Sequence, residues 1–232
     1  LQSNEEARRA FMLANRVVLF QQIRSKQKTR QSTYAKDGSI SVEGSIEELD
    51  WNLNGGSWRA FQIGFLIASA KSTALGEDED RETVELIFFP TGGGKTEAYQ
   101  GLAAFSVFHD RLCGREVGVS VILRYTLRLL TSQQFLRAAG LVAAMEVIRR
   151  QEGIGGNEFS IGIWVGESVT PTRSEKALSA LRKLATNADA ENPFVLAKCP
   201  WCCAQLGPIT TKVKLPKGTP RYIGYREANR SV

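Results

Sequence analysis

The sequence predicts an α/β domain, doubly wound, with a parallel sheet and flanking helices, preceded by an N-terminal helical segment and followed by a small cysteine- and proline-rich insertion. Two observations carry this expectation. Between Glu82 and about Ala190, the short apolar and β-branched runs TVELIFF, VGVSVIL and FSIGIWVG alternate with longer stretches of helical apolar spacing. Strands alternating with helices of this length need crossover connections, which cover both faces of a parallel sheet. A glycine-rich turn, PTGGGKT, joins the first run to the helix after it, as a strand-to-helix phosphate loop would.

Residues 1–80 read as the helical segment with a polar linker. From Asn4 to about Gln27, Ala7, Phe11, Leu13, Ala14, Val17, Val18 and Phe20 recur mostly at three- and four-residue steps, which predicts an amphipathic helix. The stretch SKQKTRQSTYAKDGSISVEGSIEELD is polar and rich in glycine and serine, and reads as a linker. Within and just before it, Arg24, Lys26, Lys28 and Arg30 form a basic run, for which a solvated face is the first reading and contact with phosphate the alternative. A second helix is expected from Ser57 to Ala74, ended by the acidic GEDEDRE.

Residues 81–190 read as the nucleotide-binding domain, with helices expected over TEAYQGLAAFSVFHDRL, TSQQFLRAAGLVAAMEVIRRQ and TRSEKALSALRKLATNA. Residues 191–232 break that rhythm: Pro193, Pro200, Pro208, Pro216 and Pro220 share the segment with Cys199, Cys202 and Cys203.

The 43% hydrophobic content of the 232 residues suits a packed core and excludes a disordered tail. No apolar window reaches the length of a membrane span, because Asn15 and Arg16 interrupt FMLANRVVLF. A net charge of +6 suits a polyanionic partner, although an ordinary basic surface has the same balance. Clustered cysteines do not form the spread framework of a secreted disulfide domain, so a reducing cytoplasm is expected. Leu1 at the start and the polar YREANRSV at the end lead us to expect a piece of a longer protein.

The glycine loop has a definite chemistry. Glycines allow successive backbone N–H groups to point into one concavity, and the following helix adds the positive end of its dipole. Lys95 is then placed for the β- and γ-phosphates and the Thr96 hydroxyl for Mg²⁺, so these two are the candidate catalytic residues. Thr91, Gly92, Gly93, Gly94, Lys95, Thr96 and Glu97 form the expected ATP-binding set. Phe89 stands where the usual phosphate loop has its first glycine.

PTGGGKT resembles motif I of the superfamily 2 helicases and translocases, a resemblance that implies a RecA-like P-loop fold. The stretch RYTLRLLTSQQF is similar to motif Ia, with Tyr125 in the place of the usual proline and the glutamine shifted by one. That resemblance implies that Arg124, Thr126 and Arg128 grip a nucleic-acid backbone. SIGIWVGE is similar to the third strand of such domains and makes Gly166 a further DNA-contact candidate. In this superfamily a glutamine before motif I often reads the adenine edge, a role the resemblance gives to Gln62 in WRAFQIGF.

Together with ARRAFMLANRVVLFQQIR and CPWC, these stretches most resemble the DrmA family, helicase subunits of the bacterial DISARM anti-phage defence system. The resemblance implies a cytoplasmic protein that binds DNA with single-stranded character, hydrolyses ATP, and works with a partner subunit, DrmB. Hydrolysis in such proteins needs an acidic Mg²⁺-holding motif and an arginine finger. No such acidic motif is legible after the glycine loop, so this stretch alone is expected to be inactive.

KCPWCCAQLG resembles a zinc knuckle with Cys203 in the position of its glycine. Cys199 and Cys202 then read as half of a structural Zn²⁺ site, since a closed site needs about four ligands. His109 and Cys113 lie four residues apart on an expected helix, where a packed role competes with a metal-binding one. Two other classes of function stay open: a P-loop phosphotransferase, and a nucleotide-binding interaction module without catalysis.

Overall fold

Asn4 starts the first helix: its side-chain Oδ1 accepts the Ala7 N–H at 2.8 Å, and Glu5 and Glu6 follow in the first turn. The helix α1 runs Glu5–Ser25 and buries Ala10, Ala14, Val17 and Val18 along one face. The computed structural model describes residues 4–35, 37, 39–46, 48–49, 56–75, 79–88, 90, 92–116, 118–125, 128–167, 169–187, 189–209 and 223–225. After α1 come two short strands, β1 (Ser32–Tyr34) and β2 (Ile40–Val42), then α2 (Ala60–Ala74), a 3-10 turn at Glu79–Glu82, α3 (Lys95–Leu112), α4 (Arg128–Gln151) and α5 (Ser174–Thr186). The chain divides into two compact units, each discontinuous in sequence: residues 1–25, 49–125 and 137–161 form one, and residues 26–48, 126–136 and 162–232 form the other.

The first unit is helical, and α3 packs against both α1 and α2. Its buried face presents Ala98, Ala104, Phe105 and Phe108. Phe105 meets Phe11 of α1 edge to face at 6.4 Å, and Tyr99 meets Phe65 of α2 at 6.0 Å. Gly101 permits a close approach of the helices: a Cβ there would fall 2.9 Å from Trp58 and 3.1 Å from Leu66. The later part of α4 adds Ala144, Met145 and Ile148, all buried.

Arginines fasten the turn after α4. Arg149 donates to the carboxylate of Glu146 and to the Ile154 carbonyl, while Arg111 donates to the carbonyls of Gly155 and Asn157 and lies over the Phe159 ring. Glu146 also pairs with Arg150 and accepts the Phe159 N–H at 3.2 Å. The hydrogen bonds from Arg149, chiefly, hold the Glu146 carboxyl down at about 2.

The second unit contains the β1–β2 hairpin, antiparallel with Ser32 opposite Val42 and Tyr34 opposite Ile40. The stretch expected to be a linker is therefore partly ordered as a hairpin; Asp37 accepts the Ser39 N–H and hydroxyl across its turn. Arg30 is not on a solvated basic face. Its backbone bridges Cys203 and Gln205, and its guanidinium donates to the carbonyls of Glu43, Gly44 and Cys202.

The expected RecA-like parallel sheet is overturned. Among the described residues the sheet is the two-stranded antiparallel hairpin, and none of TVELIFF, VGVSVIL or FSIGIWVG contributes a strand. Val84, Phe88 and Trp164 are 92%, 91% and 99% exposed. The physical reason is that β-propensity measures how well a residue fits a paired, half-buried surface. A run with that composition becomes a strand only when a second backbone completes its ladder.

These burials set unequal mutational costs. Phe108→Ala should lower unfolding stability by about 3–5 kcal/mol in urea denaturation, whereas Phe88→Ser should stay within about 0.5 kcal/mol of wild type. The folded Glu146 carboxyl titrates below its ordinary 4.5, so its stabilising contribution is present above that pH and is lost as pH falls toward 2. Glu146→Gln should accordingly flatten the acid limb of the melting temperature between pH 4.5 and 2, while leaving its slope above pH 6 unchanged.

Candidate functional site at the glycine loop

The glycine loop is built as a turn that hands directly into α3. Gly93 donates its N–H to the Pro90 carbonyl at 3.3 Å, and Gly92 and Gly94 adopt positive φ angles of 80° and 87°. Gly94 is the N-cap of α3, so Lys95 and Thr96 are the first two residues of the helix. Glycine at the cap means that no cap side chain hydrogen-bonds to the helix's first N–H groups.

Two side chains from the start of α2 hold the loop from behind. Arg59, the N-cap of α2, donates from Nη1 to the Gly93 carbonyl at 2.7 Å. Gln62 donates from Nε2 to the Gly94 carbonyl at 2.6 Å, while its Oε1 accepts the Arg59 N–H at 2.9 Å. Trp58, just before them, donates its indole N–H to Asn15 of α1 at 2.6 Å. On the helix side, Glu97 pairs with Arg137 of α4 at 3.0 Å.

Of the residues expected to bind nucleotide, Gly92, Gly93, Gly94, Lys95, Thr96, Glu97 and Gln62 are therefore gathered at one junction. Thr91 and Phe89 lie outside the described residues. The sequence reading missed Arg59 and Arg137. Arg59 left a signal, since it stands three residues before Gln62 at the spacing of a cap and its N3 partner. Arg137 left none, because its partner Glu97 is forty residues away.

The DNA-contact candidates are distributed differently. Arg124 is exposed and belongs to the first unit. Gly166 is exposed in the second unit, where its carbonyl accepts the Val169 N–H at 3.0 Å. Arg128 is the first residue of α4, but its side chain and the whole of Thr126 lie outside the described residues.

The cysteine turn at 199–203 is hydrogen-bonded within itself. Cys203 donates its N–H to the Cys199 carbonyl at 3.0 Å, the Cys202 N–H approaches the Cys199 sulfur at 3.5 Å, and Cys203 takes a left-handed φ of 57°. That conformation is one that glycine adopts far more readily than a residue with a side chain. Burial, in the first place, pushes the Cys199 thiol up, a penalty that a bound cation would reverse. Among the described residues, no group of three His, Cys, Asp or Glu could hold a metal ion. His109 is buried beside Cys113 and Arg115 and stacks on Phe105, and burial chiefly lowers its pKa, so it reads as a packed neutral imidazole.

Gly94→Ala tests the loop geometry. A Cβ there would lie 2.7 Å from Gln62 Nε2 on a backbone with φ of 87°, so the substitution should cost about 1–3 kcal/mol in chemical denaturation. Gly114→Ala, also at positive φ but with nothing within 4 Å, should cost less.

No family model matches the chain, and no solved structure matches it. Among the described residues, no helix is long and apolar enough to cross a membrane. The chain is 34% identical to the DISARM protein DrmA of Bacillus paralicheniformis over an aligned span of 223 residues. That alignment covers 89% of this chain and 19% of the relative, so the chain spans about a fifth of the protein it matches. Over most of its own length, then, the chain resembles DrmA of DISARM.

Proposed function

We propose that the glycine loop binds ATP with Mg²⁺ and that the intact protein is an ATP-dependent DNA helicase or translocase acting in DISARM anti-phage defence. The observation that carries this reading is the junction at 92–96. Two glycines at positive φ lead into a helix whose first residues are Lys95 and Thr96. The helix N-terminus and the lysine put positive charge where a triphosphate's negative charge would lie. The Thr96 hydroxyl is the side chain here suited to ligate Mg²⁺. Similarity to a DISARM protein supplies the biological setting.

The same proposal gives Arg124, Arg128, Thr126 and Gly166 to the DNA backbone, with a second DISARM subunit, DrmB, as partner and the bacterial cytoplasm as location. Arg124 is exposed, as a backbone contact requires. Cys199 and Cys202 are proposed to hold structural Zn²⁺. The turn supports this, since the Cys202 N–H directed at the Cys199 sulfur favours its thiolate.

Turnover is a property to test on the intact protein. Wild type should hydrolyse ATP with stimulation by single-stranded DNA, and Lys95→Ala should bring turnover to background with an unchanged melting temperature. Equal turnover in wild type and Lys95→Ala would remove the reading. Arg124→Ala should reduce the slope of log affinity for DNA against log salt by about 1, as loss of one phosphate contact does. Metal analysis should find bound zinc that falls in Cys199→Ser and Cys202→Ser; zinc content unchanged in both would contradict the assignment.

A further inference from the structure

We propose that Gln62 is a positioning residue for the glycine loop and does not read the base of the nucleotide. This inference rests on the nucleotide-binding reading above. A primary amide has one acceptor end and one donor end, and an adenine edge is read by using both at once. In this chain both ends are engaged. Oε1 accepts from the Arg59 N–H and Nε2 donates to the Gly94 carbonyl. The amide's orientation is forced, because a backbone N–H can only donate and a carbonyl can only accept. The residue is also only 5% exposed, so it is turned into the protein and away from solvent-borne ligands.

What the amide does follows from peptide geometry. In a planar trans peptide, the C=O and the N–H of the next residue point in opposite directions. Gln62 holds the Gly94 carbonyl, and Arg59 holds the Gly93 carbonyl, both toward the start of α2. The N–H groups of Lys95 and Gly94, in those same two peptide planes, must then point away from α2. These are amides that a phosphate on the loop would use. Gln62 and Arg59 thus fix two consecutive amide directions before the ligand arrives, lowering the ordering cost of binding. Because Gln62 Oε1 also accepts the N–H of the α2 cap residue, the loop's shape is tied to the integrity of the helix start.

Gln62→Glu separates the two bonds. A carboxylate still accepts the Arg59 N–H but cannot donate to the Gly94 carbonyl, which it repels. In the intact protein, KM for ATP and KM for GTP should both rise about tenfold, the effect expected of one lost hydrogen bond, with their ratio unchanged. kcat should stay within a few-fold, since a variant that merely misfolds in part loses active enzyme and lowers kcat without moving KM. Gln62→Met, which keeps the volume and loses both bonds, should show the same paired rise if the glutamate is poorly tolerated. A rise for ATP alone would overturn the inference and return Gln62 to base reading. Unchanged KM for both nucleotides in both variants would overturn it as well. Absence of ATP and GTP binding by wild type would instead bring down the nucleotide reading itself, and this inference with it.

Discussion

The buried face of α3 fixes where the chemistry of this chain can occur. Ala98, Ala104, Phe105 and Phe108 are withdrawn from water against α1 and α2, and Lys95 is the first residue of that same helix. A rigid helix of 18 residues transmits the position of its core side to its N-terminus. The glycine loop therefore inherits its placement from aromatic packing several turns away, and its shape from α2. Trp58 illustrates the economy of the arrangement: its indole is bonded to Asn15 of α1, while its ring fills the space that Gly101 leaves on α3.

Charge is used locally in the same way. Glu97 in the first turn of α3 suits the helix dipole and is bonded to Arg137, which joins the start of α3 to α4. Arg111 and Arg149 donate to backbone carbonyls of the turn after α4, so the positive charge these two contribute to the chain's net +6 has a structural role. Arg30 shows this most plainly, with its guanidinium on three carbonyls of the second unit. Net charge alone is a poor guide to a nucleic-acid surface for this reason.

The helices were legible because a 3.6-residue period survives in a single segment. The expected bounds for the helices at 96–112 and 131–151 fall close to α3, Lys95–Leu112, and α4, Arg128–Gln151. The glycine loop was legible because its chemistry is local: three glycines, a lysine and a threonine define it without reference to distant residues. The strands were not, since a ladder is a property of two segments and TVELIFF carries information about only one. Gln62 fell between these cases. The superfamily resemblance gives it the adenine edge, whereas its orientation is fixed by Arg59 and by the carbonyl of Gly94, which periodicity does not reveal.

The central claim is that the turn at 92–96 is the nucleotide site. Hydrogen–deuterium exchange of the intact protein with and without ATP and Mg²⁺ addresses it at the backbone amides themselves. The account predicts slowed exchange in the peptide spanning Phe88 to Gly101, in wild type and not in Lys95→Ala. Exchange unchanged in that peptide while ATP is demonstrably bound would place the nucleotide elsewhere and contradict the account.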